Sequence, residues 1–307
     1  MAGSGEGFRD WSLPLAGLCP SGRDNAIGIN LDLLEAAGLE MPTDDWKVDE
    51  FAAAASALSD PDNNIFGTNY FTGSYYDFQS LARAYGTDMM DPERNQFTFG
   101  TDEGNLEAAR WLTSLRTELG AAPNRAEVGT KGLDFVSGTI GLGVGGTYNV
   151  NGWATQIGDS FRHDFVLFPL GPEGTRGYTA FHSNFSCWSD TQHPELAVDL
   201  LLYLTSTEAG LWASLEQETG QPNGRKSVWS NEEVLKKSHP IFERALNKLF
   251  LSDVESPFLM PYNLRFDELQ NTWANTCPDV FYGDLPFEEG MQVVQDACQE
   301  IMDQPRA

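Results

Sequence analysis

Apolar residues along this chain keep switching between the spacing of a helix and the short runs of a strand, and that alternation leaves few architectures open. Val48, Phe51, Ala52, Ala55 and Leu58 follow the helical period, as do Phe78, Leu81, Ala82 and Tyr85 ahead of Gly86. Ala108, Leu112, Leu115 and Leu119 make a third stripe, stopped by Gly120, and Phe287, Met291, Val294, Cys298 and Ile301 make a last one. Asn30 is placed to cap a two-turn helix that ends at Gly38. Between these lie strand-like runs, Ile140, Leu142 and Val144 in alternation and Phe165 to Phe168 running into Pro169. Strands interleaved with helices predict an α/β layered fold. A chain of 307 residues is long enough for two domains.

Charge narrows the partners. The 45 acidic and 19 basic residues leave a net charge of −26, and such a surface repels nucleic acid and anionic lipid, so no nucleic-acid partner is expected. Only six of the basic residues are Lys, a pattern compatible with a high-salt habitat. No run reaches the roughly 18 apolar residues of a membrane span. The start, Met1 to Gly7, lacks the basic and apolar regions of a signal peptide.

Catalytic and metal signatures are missing. No CxxC pair occurs, and His163, His182, His193 and His239 show no ligand spacing, so no metal or other cofactor is expected. Cys187, in a predicted strand, and Cys298, on a helical stripe, read as buried thiols; Cys19 reads as structural. No G-x-S-x-G elbow is present, and carboxylates are too numerous for any one pair to stand out as a glycosidase acid and nucleophile.

Thr179–Trp229 holds a predicted strand, Ser183 to Ser189, and then Gln192-His193-Pro194-Glu195, which opens a helix expected to bury Ala197, Leu200, Leu201 and Leu204. A second helix follows from Ser206, and the segment closes on Gly220-Gln221-Pro222-Asn223-Gly224. Further motifs stand in order. They are Trp11-Ser12-Leu13-Pro14, Ala26 to Leu39, Pro42-Thr43-Asp44-Asp45-Trp46 with Phe51, Phe135 to Leu142, and Phe165 to Pro172. Each is loose alone. Their order and spacing together resemble the extracellular solute-binding proteins of carbohydrate ABC importers, the maltose-binding-protein-like group.

That resemblance implies a type II periplasmic-binding-protein-like α/β fold with one nearly complete lobe and a partial second lobe. It places 1–24 as an N-terminal extension and hinge-entering segment, 25–177 and 230–307 as the C-terminal lobe, and 178–229 as a remnant of the N-terminal lobe. In such proteins roughly a hundred residues precede the hinge, a domain-sized piece; here ten residues precede Trp11. The implied function is to bind a sugar or polyol between the lobes without catalysis, outside the cytoplasmic membrane, and to dock on ABC permease subunits. A glycan-acting hydrolase using acidic residues near the aromatic loop is the alternative.

Candidate ligand contacts follow from the residues and the resemblance together. Tyr70-Phe71-Thr72-Gly73-Ser74-Tyr75-Tyr76-Asp77-Phe78 puts five aromatics in nine residues. Sugar rings offer apolar C–H faces and a rim of hydroxyls, so their sites stack aromatics among hydrogen-bonding groups. Tyr75 and Tyr76 are the first candidates, with simple packing as the competing reading, and Asp77 is a candidate cap. The resemblance adds Gly145, Gly146, Thr147 and Tyr148, where glycine lets backbone approach a ligand closely, with Asn151 and Trp153 just beyond. It also adds Phe181, His182 and Ser183 on the remnant-lobe strand. Arg265, ahead of a helix carrying Leu269 and Trp273, is suited to fork onto hydroxyls or to form a surface salt bridge.

Overall fold

The structure, a computed structural model, describes residues 21–70, 73–130, 132–146, 149–177, 179–182, 185–216, 225–237, 241, 258–259, 263 and 265–305. The strands are β1 (Ser21–Asn30), β2 (Phe66–Thr68), β3 (Ile140–Gly146), β4 (His163–Leu167), β5 (Thr179–His182) and β6 (Phe258–Leu259). The helices of the first half are α1 (Leu31–Ala36), α2 (Val48–Leu58), α3 (Tyr75–Ala84), α4 (Glu103–Thr117), α5 (Arg125–Thr130) and α6 (Asn149–Ile157). Those of the second half are α7 (Pro194–Leu204), α8 (Thr207–Glu216), α9 (Lys226–Trp229), α10 (Glu232–Lys237), α11 (Phe266–Thr276), α12 (Pro278–Phe281) and α13 (Phe287–Asp303).

One long strand organises the sheet. From Ala26 to Ile29, β1 pairs antiparallel with β3 on one side and β4 on the other, as in Ile27 opposite both Val144 and Val166. Its first residues, Ser21 to Arg23, pair instead with His182 to Ala180 of β5, and β5 runs parallel to β6. The β1–β3 register breaks between Asp24 and Ala26, where the strand passes from one set of partners to the other. Parallel β2 completes the order β2-β3-β1-β5-β6, with β4 joined to β1.

The helices form where periodicity and caps coincide. Asn30 Oδ1 accepts from the backbone N–H of Asp32 and Leu33, both at 3.1 Å, which starts α1, and Gly38 stops it at φ +69°. In α2, Val48, Phe51, Ala52, Ala55 and Leu58 are buried. Met291, Val294 and Cys298 of α13 are buried as their spacing predicts, and Trp273 of α11 sits among Phe78, Phe97, Phe99 and Phe281. Burial pushes the Cys298 thiol up to about 12, and Cys277 is raised further for the same reason.

Two expectations are overturned in 179–216. The strand is Thr179–His182, earlier than predicted, and residues 185–188 have no regular structure, so Cys187 is exposed rather than buried. In α7 no residue is buried. Leu200 and Leu204 are 55% and 40% exposed, and Leu196, Leu202 and Tyr203 join them. The helix forms with its apolar pattern intact, yet among the described residues its outer face has nothing packed over it. The helix around Pro240 and Phe242 lies outside the described residues, as does Cys19.

Candidate functional site

Two helix starts far apart in sequence meet in space. After β2 the chain runs through Tyr70, reaches Gly73 at φ +96°, and enters α3 at Ser74, whose Oγ accepts from Tyr76 N–H at 3.2 Å. Ser74, not Asp77, is therefore the cap; Asp77 lies in the first turn. At the other start, Arg265 precedes α11 and Phe266 is its first residue. The Tyr75 and Phe266 rings meet edge to face at 5.2 Å, and Tyr76 lies tilted against Phe266 at 5.8 Å.

These rings have different surroundings. Tyr70, Tyr75 and Phe78 are fully buried, Tyr76 and Phe266 are half-buried, and Phe71 lies outside the described residues. Tyr70 is spent on packing, its hydroxyl donating to Asp77 O at 3.1 Å. Tyr75 is enclosed by Tyr76, Phe266 and Trp273, with no hydrogen-bond partner for its hydroxyl, and burial raises its pKa well above the usual phenol value. Its place as a ligand contact is corrected to that of a core ring which props up its neighbours. Tyr76 and Phe266 are the two rings of this group that reach the surface.

A cavity of about 260 Å³ is lined by Arg83, near the end of α3, with Asp88, Met90, Asp91, Pro92 and Arg94 of the loop that follows. Arg83 is buried, and its guanidinium donates to Asp88 Oδ2 from Nε at 3.0 Å and from the second nitrogen at 2.9 Å. Gln79 Nε2 donates to the other oxygen of Asp88 at 2.9 Å. Arg83 follows Tyr76 by seven residues, two helical turns, so both stand on one side of α3. That spacing is the sequence signal by which Arg83 was findable; Asp88, in the loop after α3, had none. Asn263 Nδ2 donates to Arg94 O at 3.0 Å and ties this loop to the chain ahead of α11.

Arg265 itself is occupied. One terminal nitrogen donates to both Glu268 oxygens at 3.0 and 2.8 Å, and the other to Pro305 O at 2.6 Å, so it pins the end of the chain instead of offering its fork to a ligand. The glycine strand is also reassigned in part. A Cβ on Gly145 would fall 2.6 Å from both Asn149 Oδ1 and Trp153, and one on Gly143 would fall 2.5 Å from Phe135. These glycines make room for the chain's own rings, and Trp153, stacked on Phe165 at 5.8 Å, belongs to the core. Gly146 N–H donates to Asn149 Oδ1 at 2.9 Å as β3 ends toward α6. Asn151 is half-buried there, and its Oδ1 is a buried acceptor with no hydrogen-bond partner.

Thr147, Tyr148 and Ser183 lie outside the described residues. Phe181 and His182 are placed by backbone alone, opposite Gly22 and Ser21 of β1. The chain leading to β5 presses on α3, since a Cβ on Gly177 would meet Ser80 O at 1.9 Å. Among the described residues, no group of His, Cys, Asp and Glu is arranged to hold a metal ion, and no helix is long and apolar enough to cross a membrane.

The described residues thus carry one half-buried aromatic pair, Tyr76 with Phe266, and one cavity beside the Arg83–Asp88 pair, on a mixed α/β sheet. The family model for bacterial extracellular solute-binding proteins matches residues 15–211, and the chain belongs to that family. Its fold is the type II periplasmic-binding-protein-like α/β fold. It is similar to an ABC substrate-binding protein from Listeria monocytogenes solved with cycloalternan, at 20% identity and a TM-score of 0.74 over 94% of this chain and 71% of that one. It is also similar to the GacH receptor of Streptomyces glaucescens, solved unliganded and with acarbose (18% identity, TM-score 0.72, 96% and 76% covered). The sugar-binding protein MalE of Xanthomonas citri gives 17% identity and a TM-score of 0.73, with 93% and 70% covered. A search of curated protein sequences found no match.

Proposed function

We propose that this chain is the substrate-binding component of an ABC-type sugar importer, holding a carbohydrate without making or breaking a bond. The observation that carries this reading is fold similarity over nearly the whole chain to proteins solved with oligosaccharides, within a family of extracellular solute-binding proteins. In this reading Tyr76 and Phe266 offer ring faces to a sugar, and the Arg83–Asp88 cavity supplies polar groups for its hydroxyls. The family resemblance adds Gly146, Thr147 and Tyr148, and Phe181, His182 and Ser183, as the further ligand contacts of this reading. Residues 25–177 and 230–307 then make one lobe, 178–229 belong to the other, and 1–24 lead into the hinge. The change of partners along β1 at Asp24 to Ala26 supports a boundary there.

The protein works outside the cytoplasmic membrane in this scheme and delivers its sugar to membrane permease subunits, its lobes closing on the ligand. No observation favours the hydrolase alternative. Calorimetric titration with linear and cyclic gluco-oligosaccharides and with polyols tests the proposal. Binding that Tyr76→Ala weakens about fivefold or more supports it, one stacked ring being worth about 1 kcal/mol. No heat with any member of the panel overturns it.

A further inference from the structure

A guanidinium turned inward from α4 is tied to the helix that carries Tyr76. Arg116 stands in the last turn of α4. Its Nε donates to Pro123 O at 3.2 Å and a terminal nitrogen donates to Tyr70 O at 2.7 Å. Tyr282 adds a ring face 4.9 Å away and accepts a hydrogen bond at its hydroxyl. Burial draws the pKa of this guanidinium down to about 10. Keeping a cation away from water is costly. Arg110 and Arg125, by contrast, lie at the surface against the carboxylates of Glu288, Asp279 and Asp284. Arg116 instead holds the backbone of two separate loops, a task suited to a planar fork with donors in two directions and a flat face for Tyr282.

The Tyr70 end of the fork leads on to the ring pair. Tyr70 is fully buried, with Phe51, Trp111 and Phe168 against its ring, so that ring is a rigid spacer. Its hydroxyl donates to Asp77 O at 3.1 Å, and Asp77 follows Tyr76 in the first turn of α3. One path therefore runs from Arg116 to the Tyr70 backbone, along the Tyr70 ring, and into the peptide next to Tyr76. We propose that Arg116 is a positioning residue of the sugar site, setting how the first turn of α3 presents Tyr76 without itself touching the ligand. The inference rests on the sugar-binding reading of Tyr76 and Phe266.

Two substitutions cut this path at different points. Arg116→Lys keeps the charge and loses the fork; Tyr70→Phe keeps the core ring and loses the bond to Asp77. Calorimetry with the oligosaccharide panel, at a temperature where every variant is folded, is expected to show each binding about fivefold or more weaker. Val294→Ala, a core truncation in α13, is expected to leave affinity unchanged. Because both substitutions cut one path, the double variant is expected within about twofold of the weaker single, against about 25-fold below the parent for independent losses. Hydrogen exchange of amides 74–81 is expected to quicken about tenfold or more in each single variant while α13 keeps its parent rates. Unchanged affinity in Arg116→Lys, losses that multiply, or unchanged exchange at 74–81 would overturn the proposal. A parent that takes up no sugar defeats the binding reading instead, and the exchange rates then decide alone whether Arg116 holds α3.

Discussion

Tyr75 and Phe266, 191 residues apart in the chain, meet edge to face with their ring planes at 87°. The contact locks the start of α3 to the start of α11 and holds Tyr76 beside Phe266. Tyr75 spends its ring on this and leaves its hydroxyl unbonded. A buried hydroxyl without a partner costs about 1–3 kcal/mol. Tyr75→Phe keeps the ring and removes that cost, so urea unfolding is expected to show a gain of about 1 kcal/mol. Unchanged sugar binding would accompany it.

Gly143 faces the base of the Phe135 ring, and β1 offers Gly28 directly opposite, where a Cβ would lie 2.8 Å from the same ring. Gly143→Ala is expected to destabilise by about 1–3 kcal/mol through overpacking. Phe135→Leu alone loses ring contacts. The double variant is expected to be more stable than the sum of the two losses, because the smaller side chain yields the space, and a double-mutant cycle in urea measures it.

Asp88 gathers Arg83, Gln79 and the backbone N–H of Met89, the last at 2.7 Å. Arg83 is 5% exposed and Asp88 36%. Asp88→Asn leaves a buried guanidinium without its counter-charge. The cost is expected at about 1–3 kcal/mol, below that of a fully buried pair because water reaches Asp88. Thermal unfolding near neutral pH reads it, and an unchanged melting temperature would count against the pair as a structural anchor.

The buried thiols set the alkaline limit. In the unfolded chain cysteines ionise near about 8.5, whereas burial pushes Cys298 to about 12 and Cys277 higher. Above the unfolded value the unfolded chain sheds protons that the folded chain keeps, so stability falls as pH rises from about 9 toward 12. Cys298→Ala is expected to lower stability at neutral pH yet flatten that decline in urea titrations. Brief alkylation of the native protein should modify Cys187 and spare Cys277 and Cys298.

Much of the framework was legible because local pattern and tertiary burial agree there. Periodicity gave α2 and α13, and the Asn30 cap gave α1. The rest turned on partners that no local pattern records. Leu200 and Leu204 read as core because their spacing is that of core; exposure depends on what packs above them. Gly145 read as a backbone waiting for a ligand, yet what fills its space is Trp153, eight residues on. Arg265 carried the right chemistry for a sugar, but Glu268 stands one helical turn away and takes it. Phe266, beside it, meets Tyr76 only because the fold brings the two helix starts together, a contact no local pattern records.

β1 gives the molecule a mechanical character of its own. A single continuous backbone serves β3 and β4 with one end and β5 with the other, changing allegiance within two or three peptide units. A change in the angle between those neighbours would have to be taken up in this one ribbon, within the few peptides around Asp24.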